Sequence, residues 1–140
     1  MEYAARIVWD EGDRHYSVSF PEFPNIHTYG RSLPEAMAAA HEALNGTLEA
    51  DFEHGRRLPV AKKHLGKGYH PIALEPSVLL AYRLRQKRGA QPQLAMAKQL
   101  GISYQAYQRY ENPAQCNPTL KTLKKIVQVF HIPAKDLIEA

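Results

Sequence analysis

Between Ala95 and Pro113 the chain reads Ala-Met-Ala-Lys-Gln-Leu-Gly-Ile-Ser-Tyr-Gln-Ala-Tyr-Gln-Arg-Tyr-Glu-Asn-Pro, and this stretch restricts the backbone most tightly. Met96, Ala97 and Leu100 recur at helical spacing, and Gly101 follows where a helix stops in the left-handed conformation that glycine enters at low steric cost. Ser103 can then accept hydrogen bonds from the free amides of a second helix, Tyr104 to Glu111, with Ile102 turned inward between the two. The stretch is a helix-turn-helix. In its second helix Tyr104, Gln105, Gln108 and Arg109 share one face, while Ala106, Tyr107 and Tyr110 can turn to the core. An amide, phenol and guanidinium face suits base edges and phosphates in a major groove. Periodicity alone equally allows an αα-hairpin in a helical bundle.

The flanking sequence is helical throughout. Ser77 is expected to cap Val78 to Arg88, with Leu79, Leu80, Tyr82 and Leu84 apolar and Gly89 as the stop; Pro92 begins Gln93 to Leu100. Thr119 caps Leu120 to Phe130, whose Leu120, Leu123, Ile126, Val127 and Phe130 pack inward while Lys121, Lys124, Lys125 and Gln128 stay in water. Pro133 opens a last turn, with Leu137 and Ile138 expected to close the core. Residues 77–140, with the Gly-Ile-Ser and Arg-Tyr-Glu-Asn signatures, resemble the XRE family of DNA-binding domains that includes phage repressors and Cro. The resemblance implies a five-helix fold in which Tyr104, Gln105 and Gln108 face bases and Gln93, Arg109 and Asn112 hold the backbone, with Ser103 also among the DNA-binding residues.

Charge separates this half from the other. Residues 1–53 carry three arginines against ten carboxylates, net −7, residues 54–76 return +4, and residues 77–140 hold ten Lys and Arg against three Asp and Glu, net +7. The basic end is the nucleic-acid candidate, and an acidic globule beside it suggests a second, different partner. We therefore expect two domains, residues 1–76 and 77–140, with 54–70 a basic exposed loop. The single cysteine, Cys116, permits no internal disulfide. Neither a long apolar run nor a signal-like start appears, which points to a soluble cytoplasmic protein without a membrane partner.

The first 76 residues read β-β-β-α-β. Tyr3 to Trp9 alternates, with Tyr3, Ala5, Ile7 and Trp9 on one face; Glu11, Gly12 and Asp13 form a turn; Tyr16, Val18 and Phe20 alternate in a second, antiparallel strand. Pro21-Glu22-Phe23-Pro24 is expected to break the ladder, leaving Ile26 to Tyr29 as a short third strand ending at Gly30. Ser32-Leu33-Pro34-Glu35 is a capping box. Leu33, Ala36, Met37, Ala40, Leu44, Thr47, Leu48 and Phe52 then recur at helical spacing, with Glu35, His41, Glu42, Glu49 and Glu53 outside. Gly55 ends this helix, and Pro71 to Pro76 can add a last strand.

An aromatic strand, Tyr16-Ser17-Val18-Ser19-Phe20-Pro21-Glu22-Phe23-Pro24, a Gly30 turn and Ser32-Leu33-Pro34-Glu35-Ala36 before an Ala/Leu/Glu-rich helix are similar to the HicB antitoxin family. Asn25-Ile26 stands where that family carries Gly-Cys. The resemblance implies an α+β fold, a truncated RNase H-like N-terminal domain before the five-helix XRE-type domain. It also implies a small, basic, RNA-cleaving HicA-like toxin as partner.

An RNase H-like nuclease needs clustered carboxylates for Mg²⁺, the first inside strand one, and Tyr3 to Trp9 contains none; Asp10, Glu11 and Asp13 fall in the turn. No histidine stands at ligand spacing from another or from Cys116, so no metal site and no cofactor is expected. Cys116 lies between Pro113 and Pro118 with no adjacent base, and Trp9, Tyr16 and Phe20 read as core rather than as a base-stacking platform. No catalytic residue is expected. The functional expectation is an antitoxin that holds its toxin through Asp10, Glu11, Asp13, Glu42, Glu49 and Glu53. It would repress its own operon as a dimer or higher oligomer on an inverted repeat of double-stranded DNA. The alternative is a stand-alone XRE-type regulator whose N-terminal domain senses a ligand or dimerises.

Overall fold

The computed structural model describes residues 1–138, with side chains through Asp136. The chain divides into two compact units, one of residues Met1–Leu74 and one from Glu75 onward.

In the first unit β1 (Glu2–Asp10), β2 (His15–Phe20), β3 (Phe23–Gly30) and β4 (Tyr69–Ala73) form an antiparallel sheet in the order β3-β2-β1-β4. Helix α1 (Leu33–Glu53) covers one face. The register explains which side chains meet it. Ile7 lies opposite Val18 and Tyr3 opposite Ile72, and all four are buried, as are Ala36, Ala40, Leu44 and Leu48 of α1. The capping box forms: Ser32 Oγ accepts from the Glu35 amide at 3.2 Å, and the Glu35 carboxylate accepts from the Arg31 amide at 2.9 Å. Gly30 is fixed by close approach, since a Cβ there would lie 2.2 Å from the Ala36 nitrogen.

Several expectations change in three dimensions. Strand β3 begins at Phe23, not Ile26, and the turn shrinks accordingly. Phe23 is buried and packs edge-on against Tyr3 at 4.8 Å, which draws the segment into the sheet. The pairing jumps from Ser19–His27 to Phe20–Phe23, and Pro24 is tolerated because β3 is an edge strand. Trp9 is not core: α1 packs mainly on β3 and little on β1, leaving the indole 43% exposed. Leu33, in the first turn of α1, is also exposed. Asn45 is buried instead, its amide donating to the His41 and Ala73 carbonyls at 2.9 and 3.3 Å and so tying helix to β4.

The basic segment after Gly55 exposes Arg56, Arg57, Lys62, Lys63 and Lys67, yet it is anchored. Tyr3 donates to the Pro59 carbonyl at 2.6 Å, and Glu22 Oε1 meets His64 Nε2 at 2.6 Å and accepts from the Lys62 amide at 3.3 Å. The His64 ring stacks on Tyr69, and the Ile7 amide donates to Gly68.

The second unit holds α2 (Pro76–Arg88), α3 (Gln93–Leu100), α4 (Tyr104–Tyr110), α5 (Leu120–Phe130) and α6 (Lys135–Ile138). Ser77 does not cap α2. The cap residue is Glu75 with no side-chain hydrogen bond, because Pro76 lacks an amide hydrogen and its fixed φ suits the first helical position. Leu80, Leu84, Met96, Ala97, Leu100, Tyr107, Cys116, Ile126 and Phe130 form the core, with Ile102, Tyr110, Leu123 and Val127 packed around it. Leu120 leads α5 and points into solvent, 85% exposed, rather than inward. The core-closing expectation for Leu137 and Ile138 lies outside the described side chains.

Candidate nucleic-acid interface and acidic surfaces

The turn between α3 and α4 is set by local chemistry. Gly101 is left-handed (φ 66°, ψ 33°); its amide donates to Lys98 and that of Ile102 to Ala97, both at 3.1 Å. Lys125, reaching from α5, donates to the Leu100 carbonyl at 3.1 Å and satisfies another carbonyl at this helix end. Ser103 Oγ accepts from the Ala106 amide at 3.1 Å and starts α4.

One buried ring sets the orientation of α4. Tyr107 is fully buried, so the opposite side of the helix, Tyr104, Gln105, Gln108 and Arg109, faces solvent as a group. Ser103 is exposed beside them. Gln93 is half-buried at the first turn of α3, and Asn112 is half-buried past α4, its Oδ1 accepting from the Ala114 amide at 3.1 Å. The fold thus gathers Ser103 and the four outward residues of α4 on one short helix and its cap, with Asn112 just past that helix and Gln93 at the start of α3.

Arg88 and Glu111 escaped sequence reasoning. Arg88 at the end of α2 donates through Nε and Nη2 to the two Glu111 carboxylate oxygens, at 2.8 and 2.9 Å, and through Nη1 to the Gln91 carbonyl at 3.0 Å. The Glu111 side chain is 2% exposed. Its hydrogen bonding holds the Arg88 guanidinium above its ordinary pKa. The Tyr107 hydroxyl, beside this pair, is pushed upward chiefly by burial and then by Glu111, and it makes no hydrogen bond of standard geometry. A lone Arg in a basic helix gives no sequence signal of a partner 23 residues away.

The six acidic residues singled out for partner binding do not converge. Asp10 closes β1 rather than lying in the turn, and Glu11 and Asp13 follow it at the tip of the β1–β2 hairpin. This tip adjoins the start of α1, because Tyr16 pairs with Gly30, which abuts Ala36. Glu42, Glu49 and Glu53 lie along α1, Glu53 being roughly 25 Å of helix further on. Asp10 Oδ1 accepts from the Asp13 amide at 3.1 Å, and Asp10, Asp13 and His15 bring ligand atoms within 4.8 Å of one another. Spacing among histidines and cysteines carries no sign of this mixed Asp/His group.

A four-stranded antiparallel sheet with one covering helix, followed by a helical unit whose second turn helix turns a polar face outward, defines an α+β domain joined to a helix-turn-helix. Residues 2–81 match the family described as HicB_like antitoxin of bacterial toxin-antitoxin system, and residues 82–137 match a helix-turn-helix family. The chain is also 31% identical over 111 residues to Antitoxin HicB 2 of Photorhabdus laumondii, covering 78% of this chain and 76% of that protein. The chain belongs to the HicB-like antitoxin family and carries an XRE-type DNA-binding domain. Membership makes it a non-enzymatic regulatory protein. Among the described residues no helix is long and apolar enough to cross a membrane.

Proposed function

We propose that this chain is the antitoxin and autorepressor of a HicA–HicB-type pair, with residues 1–76 as the toxin-binding module and residues 77–140 as the operator-binding module. The observation that carries the reading is one chain joining a HicB-like antitoxin domain to a helix whose outward face is Tyr104, Gln105, Gln108 and Arg109. Tyr104, Gln105 and Gln108 face base edges, while Gln93, Ser103, Arg109 and Asn112 hold phosphates. One such domain touches few bases, so the chain acts as a homodimer or larger assembly on an inverted repeat with half-sites about 34–36 Å apart or a multiple of that. The toxin is a small basic RNA-cleaving protein, met by the acidic first unit through the carboxylates of the hairpin tip and of α1. Both partners, operator and toxin, place the protein in the cytoplasm.

The test is co-expression of the full-length chain with the toxin of its own operon, alongside footprinting of the operon's upstream region. Growth is restored and two symmetric half-sites are protected if the reading holds. Protection without growth rescue favours a stand-alone regulator whose N-terminal unit senses a ligand or dimerises.

A further inference from the structure

Trp9 is the only tryptophan of the chain, and the sheet leaves it in water. Along the helix-covered face of β1 the side chains of Tyr3, Ala5 and Ile7 are buried, and the next in that row, Trp9, is 43% exposed. Its position is nevertheless fixed. The indole packs edge-on against Tyr16, with ring centroids 5.0 Å apart, and its Nε1 donates to Glu11 Oε2 at 2.6 Å. A large aromatic surface held in one orientation loses little conformational entropy on binding, and Trp and Tyr are the side chains on which interface energy concentrates. Glu11 is the carboxylate held against the indole, while Asp10 and Asp13 gather with His15 on the other side of the hairpin tip, where Asp10 pairs with His15 rather than with the Trp9–Tyr16 row.

An indole beside a carboxylate is a receptor for a Lys or Arg side chain, which gains from the ring quadrupole and from the negative charge together. Resting on the antitoxin reading above, we infer that the Trp9–Tyr16 pair with the Glu11 carboxylate beside it is the anchor that seats a Lys or Arg of the basic toxin. The competing surfaces are less suited to a cation. Among the described residues α1 has carboxylates but no exposed large apolar side chain after Leu33. The loop carrying exposed Val60 and Leu65 is positively charged, the same sign as the toxin. On the opposite face of the sheet Val8 offers no ring, and exposed Tyr29 is already stacked on His15, with ring centroids 4.7 Å apart.

The full-length chain, labelled with 5-fluorotryptophan, places one fluorine probe at Trp9 and none in an unlabelled toxin from the same operon. On adding that toxin, inactivated at its catalytic residue, the fluorine resonance shifts and loses its sensitivity to solvent deuteration. Trp9→Ala weakens toxin binding at least tenfold, and Glu11→Gln weakens it severalfold and lessens its salt dependence, while operator binding and thermal unfolding stay as in the parent chain. A parent chain that binds the toxin with an unmoved fluorine resonance overturns the inference even if Trp9→Ala does not fold. So does charge reversal at Glu42, Glu49 and Glu53 that weakens binding more than Trp9→Ala. A parent chain that forms no complex removes the antitoxin reading itself, and this inference with it.

Discussion

Arg88 and Glu111 are joined by two parallel hydrogen bonds, 2.8 and 2.9 Å, that tie the end of α2 to the residue capping α4. The carboxylate is nearly solvent-free and the guanidinium is 21% exposed, so each charge depends on the other for its solvation. The pair pins the far end of the helix that carries Gln105 and Arg109, and so sets the angle of its outward face.

Removing one partner leaves the other charge buried and unpaired. Arg88→Ala should lower unfolding stability of the second unit by about 3 kcal/mol, read by denaturant titration, whereas removal of a solvated surface charge costs under about 1 kcal/mol. A loss as small as the latter would mean the pair does not hold α4.

Base reading and backbone holding are separable on α4. Gln105→Ala should change which operator bases are preferred, at roughly 1–3 kcal/mol per lost bidentate contact, while Arg109→Ala should weaken all sequences alike and flatten the salt dependence. Competition binding against single-base operator variants measures both. Unchanged discrimination by Gln105→Ala would reassign the reading residue.

Gly30 tests the packing of the first unit. A methyl group there meets the Ala36 backbone, which cannot rotate away as a flexible side chain would. Gly30→Ala should cost at least the ~1–3 kcal/mol of an overpacked core, visible as a lowered melting temperature. Gly46→Ala, with open space around the added carbon and a helical backbone, should instead be neutral or stabilising.

Cys116 is buried, and burial pushes its thiol up to about 12. Iodoacetamide at pH 8 should therefore label the folded chain slowly and the unfolded chain fast. The folded state holds the thiol proton more tightly, so its stabilising contribution is complete below the unfolded thiol's pKa and disappears as pH rises toward 12. Fast labelling of the folded chain at pH 8 would show the thiol is not buried.

What the sequence made legible was decided by how far away the deciding partner lies. The Ser32, Ser103 and Thr119 caps and the Gly101 stop involve bonds within four residues, and each stands where spacing alone puts it. The helical register of α1 follows from a repeat it carries itself, and the β-β-β-α-β order follows from strand alternation. Trp9 went the other way because alternation names a face but not whether a helix covers it, Phe23 because its partner Tyr3 lies on another strand, and Leu120 because it opens its helix with nothing packed over it. The His64–Glu22 and Arg88–Glu111 contacts span 42 and 23 residues, and nothing near any of these four residues announces the other. The outward face of α4 was readable because a helix with Tyr107 inward leaves its polar residues a single direction.

The measurement closest to the central claim uses the full-length chain and its Gln105→Ala, Arg109→Ala double variant in cells carrying the operon's toxin and a reporter on the operon's promoter. The parent chain should restore growth and silence the reporter, and the double variant should still restore growth while the reporter escapes repression. A parent chain that silences the reporter but leaves cells to die with the toxin present would contradict that claim.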